Sequence, residues 1–286
     1  AKGPPEGRNT SVNGPIQTKA TIVPRATPSP APAAPPPAPV PTVFVPLNKP
    51  TGARRSVFRT PAEWISKGGR TQRVDTYRDV VDIVLGLDFG TSFTKAAVGF
   101  RDKIIPVTWE GVSGFQPSYL LPSEYSQLSE GRVYLGQHPR ATAQDVHGDL
   151  KLPFINSTRV DEPSLKNAST FLALVLRYVR AFVYQHHAGK IPFSQIRWQL
   201  NIGAPCNGLE DEATVLSYTM LARSAWMRSL SSELDRVKEF KRSEAGDPTD
   251  LVSLDVKPEF VAQLAGYVQS PQRQRGLHAL VDVGGG

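Results

Sequence analysis

Two stretches of this 286-residue chain repeat one pattern. At 86–95 the sequence reads GLDFGTSFTK, and at 280–286 it reads LVDVGGG. Each sets an aspartate after an apolar run and a glycine two places later. The apolar run predicts a buried strand. The Asp-x-Gly that follows puts a carboxylate at the strand tip and lets the backbone turn where a side chain would clash. Such turns occur in many hairpins, so either stretch alone has a plain structural reading. Two of them facing each other have the parts for a nucleotide. Backbone N–H groups can take the phosphates, and the carboxylates can hold Mg²⁺ through water.

Composition narrows the setting. No run of about 18 apolar residues exists, so no membrane span is expected. The opening AKGPPEGRNT lacks the apolar stretch of a secretory leader. The sequence starts at Ala1 and stops inside the second motif, and both ends are expected to be cut. A single cysteine, Cys206, excludes an internal disulfide and a Cys-rich metal site. It suits a reducing compartment, and a cytoplasmic location is expected. The formal charge of +7 is uneven. Residues 1–79 hold 12 Lys/Arg against 4 Asp/Glu, and the remainder holds 21 against 22. The basic tail suits nucleic acid or an anionic membrane surface; a solvated arm is the plainer reading.

Fourteen of the 26 prolines fall in residues 1–50, around APAAPPPAPVP. Such a segment cannot bury a core and is expected to be disordered. Residues 1–79 are read as a Pro/Ala-rich basic linker, with Trp64 either docked on the folded part or within more linker. Order is expected from Val80. Strands are predicted at 83–88, 93–100 and 103–109, the last weakened by Pro106. Residues 110–166 read as loop-rich. A helix over 168–187 carries one apolar stripe from Phe171 to Val183. A strand at 196–204, helix at 209–240, strand at 251–256, helix at 258–269 and strand at 278–283 complete an α/β layer architecture with an antiparallel start.

The paired turns, their order and their wide separation resemble the phosphate-1 and phosphate-2 motifs of the actin, sugar-kinase and 70-kDa heat-shock ATPase superfamily. Within it, 80–286 most resembles the amino-terminal lobe of a heat-shock (DnaK-type) chaperone ATPase. The resemblance implies a ribonuclease-H-like, actin-like ATPase lobe with an inserted subdomain at about 110–166, truncated at phosphate-2. It implies ATP or ADP with Mg²⁺ as ligands. Asp88 would hold Mg²⁺ through water, with Gly90, Thr91 and Ser92 on the β- and γ-phosphates. Lys95 follows as in several actin-like and sugar-kinase relatives, or is an ordinary strand lysine facing solvent. Leu121-Pro122-Ser123 resembles the start of the inserted subdomain. Lys151, in DLKL, matches the lysine that supports the attacking water and the γ-phosphate; its plain reading is a surface lysine. Glu259, opening EFVAQLAGY, matches the carboxylate of the hinge helix. Asp282 would orient water and Mg²⁺, and Gly284, Gly285 and Gly286 match the second phosphate turn.

The chemistry implied is phosphoryl transfer to water, in which positioning and charge neutralisation dominate. No G-x-x-x-x-G-K-[ST] is present, so a Walker-type site is excluded. His186-His187 at a helix end reads as a dipole-compensating pair rather than a metal site. Cys206 reads as structural. Three functions compete: a nucleotide-switched chaperone ATPase with a client or regulatory partner, a filament-forming actin-like ATPase, and a pseudo-ATPase scaffold. Because the family closes two lobes on ATP, the 286-residue chain alone is expected to bind ATP weakly and not turn it over.

Overall fold

Alternation along β1 (Asp79–Phe89) sets the architecture. Ile83, Leu85, Leu87 and Phe89 are buried, while Asp82, Val84, Gly86 and Asp88 take the opposite face. β2 (Phe93–Phe100) returns antiparallel with Asp88 opposite Lys95. β3 (Lys103–Pro106) adds an antiparallel edge. The sequence reading ran this strand to Trp109. It ends at Pro106, which has no N–H to donate, and Val107 and Trp109 turn into the core. The computed structural model describes residues 66–101, 103–109, 119–156, 159–205, 212–231, 234 and 251–259. All of them belong to one compact unit spanning 54–286.

The loop-rich stretch holds more pairing than its sequence suggests. β4 (Leu121–Pro122) pairs with β2. β5 (Tyr125–Gln127), β6 (Val133–Leu135) and β7 (Val146–His147) make a separate small sheet in the order β6-β5-β7. These strands are two or three residues long, too short for a period-2 signal. A short helix, α1 (Leu152–Asn156), follows.

α2 (Glu162–His186) starts six residues ahead of the predicted 168. Asp161 caps it by accepting from the Ser164 N–H at 2.7 Å. Pro163 is tolerated in that first turn, where no intrahelical donor is needed. From Ala168 to Val183 every residue is buried, not only the predicted stripe. α2 lies between the sheet, through Phe89 and Phe171, and a second helix, and its remaining side is covered by residues 68–70.

β8 (Ser194–Ala204) runs parallel to β1 on the side away from β2. α3 (Glu212–Leu230) then packs on α2, and Trp226 meets Trp198 of β8 edge-on. β9 (Leu251–Pro258) runs parallel to β8 and two residues past the predicted end. The main sheet has the order β3-β2-β1-β8-β9, with both long helices on its buried face. This is a mixed α/β fold.

Residues 66–78, which the sequence reading put in the linker, are docked. Trp198 Nε1 donates to Thr71 O, Arg180 Nε to Gly68 O, and Gln72 bonds Ile196 in both directions. Order therefore begins ahead of Val80. The reason is local: a Cβ at Gly68 would lie 1.7 Å from Arg177 O, so only glycine lets the segment approach this closely. Trp64, the tail 1–50, Cys206, Asp282, Gly284–Gly286 and the strand at 278–283 lie outside the described residues, as does the helix at 258–269 beyond Glu259. Among the described residues no helix is long and apolar enough to cross a membrane.

Candidate functional site

Three parallel strands, β1, β8 and β9, end side by side at Phe89, Ala204 and Pro258. Open α/β sheets bind ligands outside the carboxyl ends of their strands. The predicted residues of the first motif lie at that edge. Gly90, Thr91 and Ser92 form the turn between β1 and β2. A Cβ at Gly90 would sit 2.2 Å from Phe93 O, so the turn needs its glycine.

Ser123 braces this turn from outside. Its Oγ donates to Gly90 O at 2.7 Å, its N–H to Ser92 O at 3.0 Å, and its Oγ lies 2.9 Å from Thr94 Oγ1. The serine is buried, so these bonds are shielded from water. In the sequence Leu121-Pro122-Ser123 stands out as a motif, but nothing in it announces this role. The short β4 pairing with Phe93 and Thr94 delivers it.

Asp88 and Lys95 face each other across the hairpin, Nζ to Oδ2 2.9 Å. Both are about half exposed, so the pair contributes little to stability. Its importance is placement. Asp88 sits at the sheet end with Oδ2 engaged by the lysine. Lys95 is neither free nor remote from the turn.

Lys151 and Glu259 also meet. They form an ion pair, Nζ to Oε1. The lysine side chain is only 5% exposed, which overturns its plain reading as a surface lysine. Asp149 delivers it: with φ at 53° it takes the left-handed conformation that Asp tolerates, and its carbonyl accepts from Leu152 N as α1 begins. Glu259 reaches the pair over Gly203. A Cβ at Gly203 would lie 2.9 Å from Glu259 Cγ and 3.6 Å from Leu87 O. The missing side chain therefore seats Glu259 beside the carboxyl end of β1. The register Leu87 to Ile202 runs on to set Asp88 next to Gly203 on the same sheet face. Asp88, Lys95, Lys151 and Glu259 thus share one corner.

A metal at this corner would meet two carboxylates, Asp88 and Glu259, each already paired with a lysine. Among the described residues no group of three His, Cys, Asp or Glu could hold a metal directly. Mg²⁺ commonly keeps several waters and takes one or two carboxylates plus phosphate oxygens. The half-exposed Asp88, with Oδ1 left over from the lysine, fits that mode.

No protein-family profile matches the chain, and no curated protein does. Among solved structures the chain is similar to one described as a non-polymerising MamK mutant bound to AMPPNP, at 16% identity and a TM-score of 0.30. The match covers 53% of this chain and 39% of that one, so the chain spans about two fifths of its length. A likeness at this level carries no argument on fold or ligand. The weight rests on the chain's own geometry.

Proposed function

We propose that residues 66–286 form the phosphate-binding lobe of an ATPase of the actin, sugar-kinase and 70-kDa heat-shock superfamily, acting as a nucleotide switch. The observation that carries this reading is the meeting of Lys151 and Glu259 at the sheet end that also holds Asp88 and the Gly90–Ser92 turn. The sheet order supports it: an antiparallel meander followed by two parallel strands is the expected ribonuclease-H-like arrangement.

The roles follow from chemistry. The turn at 90–92, held in shape by Ser123, receives the phosphate tail. Asp88 holds the hydrated metal, which supplies charge neutralisation at the phosphates. Lys95, already at the hairpin mouth, exchanges its carboxylate partner for a phosphate oxygen. Glu259 orients the attacking water, and Lys151 offsets charge at the γ-phosphate. Asp282 and Gly284–Gly286 supply the second turn. The small sheet of β5–β7 with α1 belongs to the inserted subdomain, and the basic tail within 1–79 contacts nucleic acid or an anionic surface.

Two users of such a lobe compete. The inserted segment ending in Lys151 favours the chaperone type, with a client or regulatory partner. The filament-forming type shares the same turns. Sedimentation with Mg·ATP separates them, since only a filament former pellets. The lobe reading itself is tested by titrating Mg·ATP into ¹⁵N-labelled chain. Shifts should concentrate at Gly90, Thr91, Ser92 and Lys95 and vanish in Asp88→Ala. Shifts scattered elsewhere, or unaltered in that variant, would reject it.

A further inference from the structure

A buried hydroxyl near the Lys151–Glu259 pair has no hydrogen-bond partner among the described residues: Tyr218 Oη. Tyr218 lies on α3, is wholly buried, and packs edge-on against Phe154 with ring centroids 5.6 Å apart. Phe154 stands in the turn that Lys151 opens, and its N–H donates to Lys151 O. Burial raises the Tyr218 pKa, and the negative charge of Glu259 raises it further. The phenol therefore keeps its proton and feels the carboxylate.

A buried hydroxyl left unsatisfied is costly, and such groups in native proteins are generally met by protein or ordered water. Glu259 has the complementary need. Lys151 takes Oε1, while Oε2 has no partner among the described residues. We propose that Tyr218 is a positioning residue for Glu259, its hydroxyl donating through one bound water to the carboxylate oxygen that Lys151 leaves free. Such a water has the two to four polar partners it requires in Glu259, Tyr218 and the lysine ammonium. Gly203 confines the glutamate from the strand side, and Tyr218 fixes it from the helix side. The consequence for turnover rests on the ATPase reading; the arrangement itself does not.

The experiment is thermal unfolding of the 286-residue chain with Tyr218→Phe. Loss of one bridged hydrogen bond should lower the midpoint by about 2–4 °C. In a Lys151→Met/Glu259→Leu background the same substitution should raise the midpoint, because the hydroxyl then has no carboxylate to serve. A midpoint unchanged or raised by Tyr218→Phe with Lys151 and Glu259 in place overturns the proposal, even if the double background fails to fold. The tyrosine ¹³Cζ resonance supplies a readout that packing alone would not move. It should shift on Glu259→Gln, and a resonance that stays put overturns the proposal as well. Neither measurement needs nucleotide, so a failure of the ATPase reading leaves both standing.

Discussion

Lys151 and Glu259, 108 positions apart, close an ion pair in which the lysine is almost wholly out of water. Breaking such a pair from one side leaves a charge without its partner, whereas replacing both partners by apolar groups is often neutral. Lys151→Met should therefore cost about 3 kcal/mol in urea unfolding. Lys151→Met/Glu259→Leu should recover most of that loss. Equal losses in the single and double variants would show that the pair is not coupled in solution.

Gly90 sets a second expectation. The atom a side chain would strike is a backbone oxygen, Phe93 O, and a Cβ would come within 2.2 Å of it. Backbone cannot swing aside as a flexible side chain can. Gly90→Ala should cost about 2 kcal/mol through steric overlap with Phe93 O and should free Ser123 from its bond to Gly90 O. Denaturant unfolding measures the first. Faster amide exchange at Ser123, whose N–H donates to Ser92 O, measures the second.

The regular parts of this fold were readable from the residues. β2 runs over 93–100 as its alternation predicts, and β8 starts only two residues ahead of the predicted 196. Long elements with one buried face write their period into the chain. The site was readable in pieces only. Asp88, Lys151 and Glu259 came from motif resemblance; nothing in their spacing says that Lys151 and Glu259 touch, because the contact depends on how α1 and β9 end. Gly203 read as a strand end, since the glutamate it makes room for lies far along the chain. Tyr218 carried no signal, because an aromatic on a buried helix face reads as core. The docking of 66–78 is hidden for a similar reason: its own carbonyl oxygens accept from Arg180 on α2 and Trp198 on β8, and it has no apolar pattern of its own.

That docking makes a third prediction. Arg180 is fully buried and hydrogen-bonds no carboxylate among the described residues, and burial pulls its pKa down to about 10. It spends its charge on Gly68 O, Ser229 O and Ser229 Oγ, with the Trp226 ring 5.0 Å from the guanidinium carbon. Arg180→Met removes the donors that tie Gly68 to Ser229 at the end of α3. Trypsin should then cut at Lys67, Arg70 and Arg73 at least tenfold faster while α2 and β8 stay protected. Unchanged cutting would mean that Trp198 and Gln72 hold the segment without the arginine.

Two histidines give the chain a pH response whose sign is fixed by burial. His147 stacks on Tyr125, and desolvation, then Lys166, lowers its pKa below the usual 6.5 against the opposing pull of Asp145. His187 has both ring nitrogens buried without a hydrogen-bond partner among the described residues, and desolvation, then Lys190 and His186, lowers its pKa as well. As pH falls through 6.5 the unfolded chain takes up protons first, so the folded state loses ground. Stability should be flat above about pH 7 and decline from about 6.5 until the folded values are passed. The carboxylates of Asp82, held down by its hydrogen bonds to Arg197, and of Asp161, held down by Ser164, add a further loss only near and below 3.8. Urea midpoints measured from pH 8 to 4 should show the first decline in the wild-type chain. His147→Gln/His187→Gln should remove it and leave the acidic one. A double variant that still weakens between pH 6.5 and 5 would assign that loss to other groups.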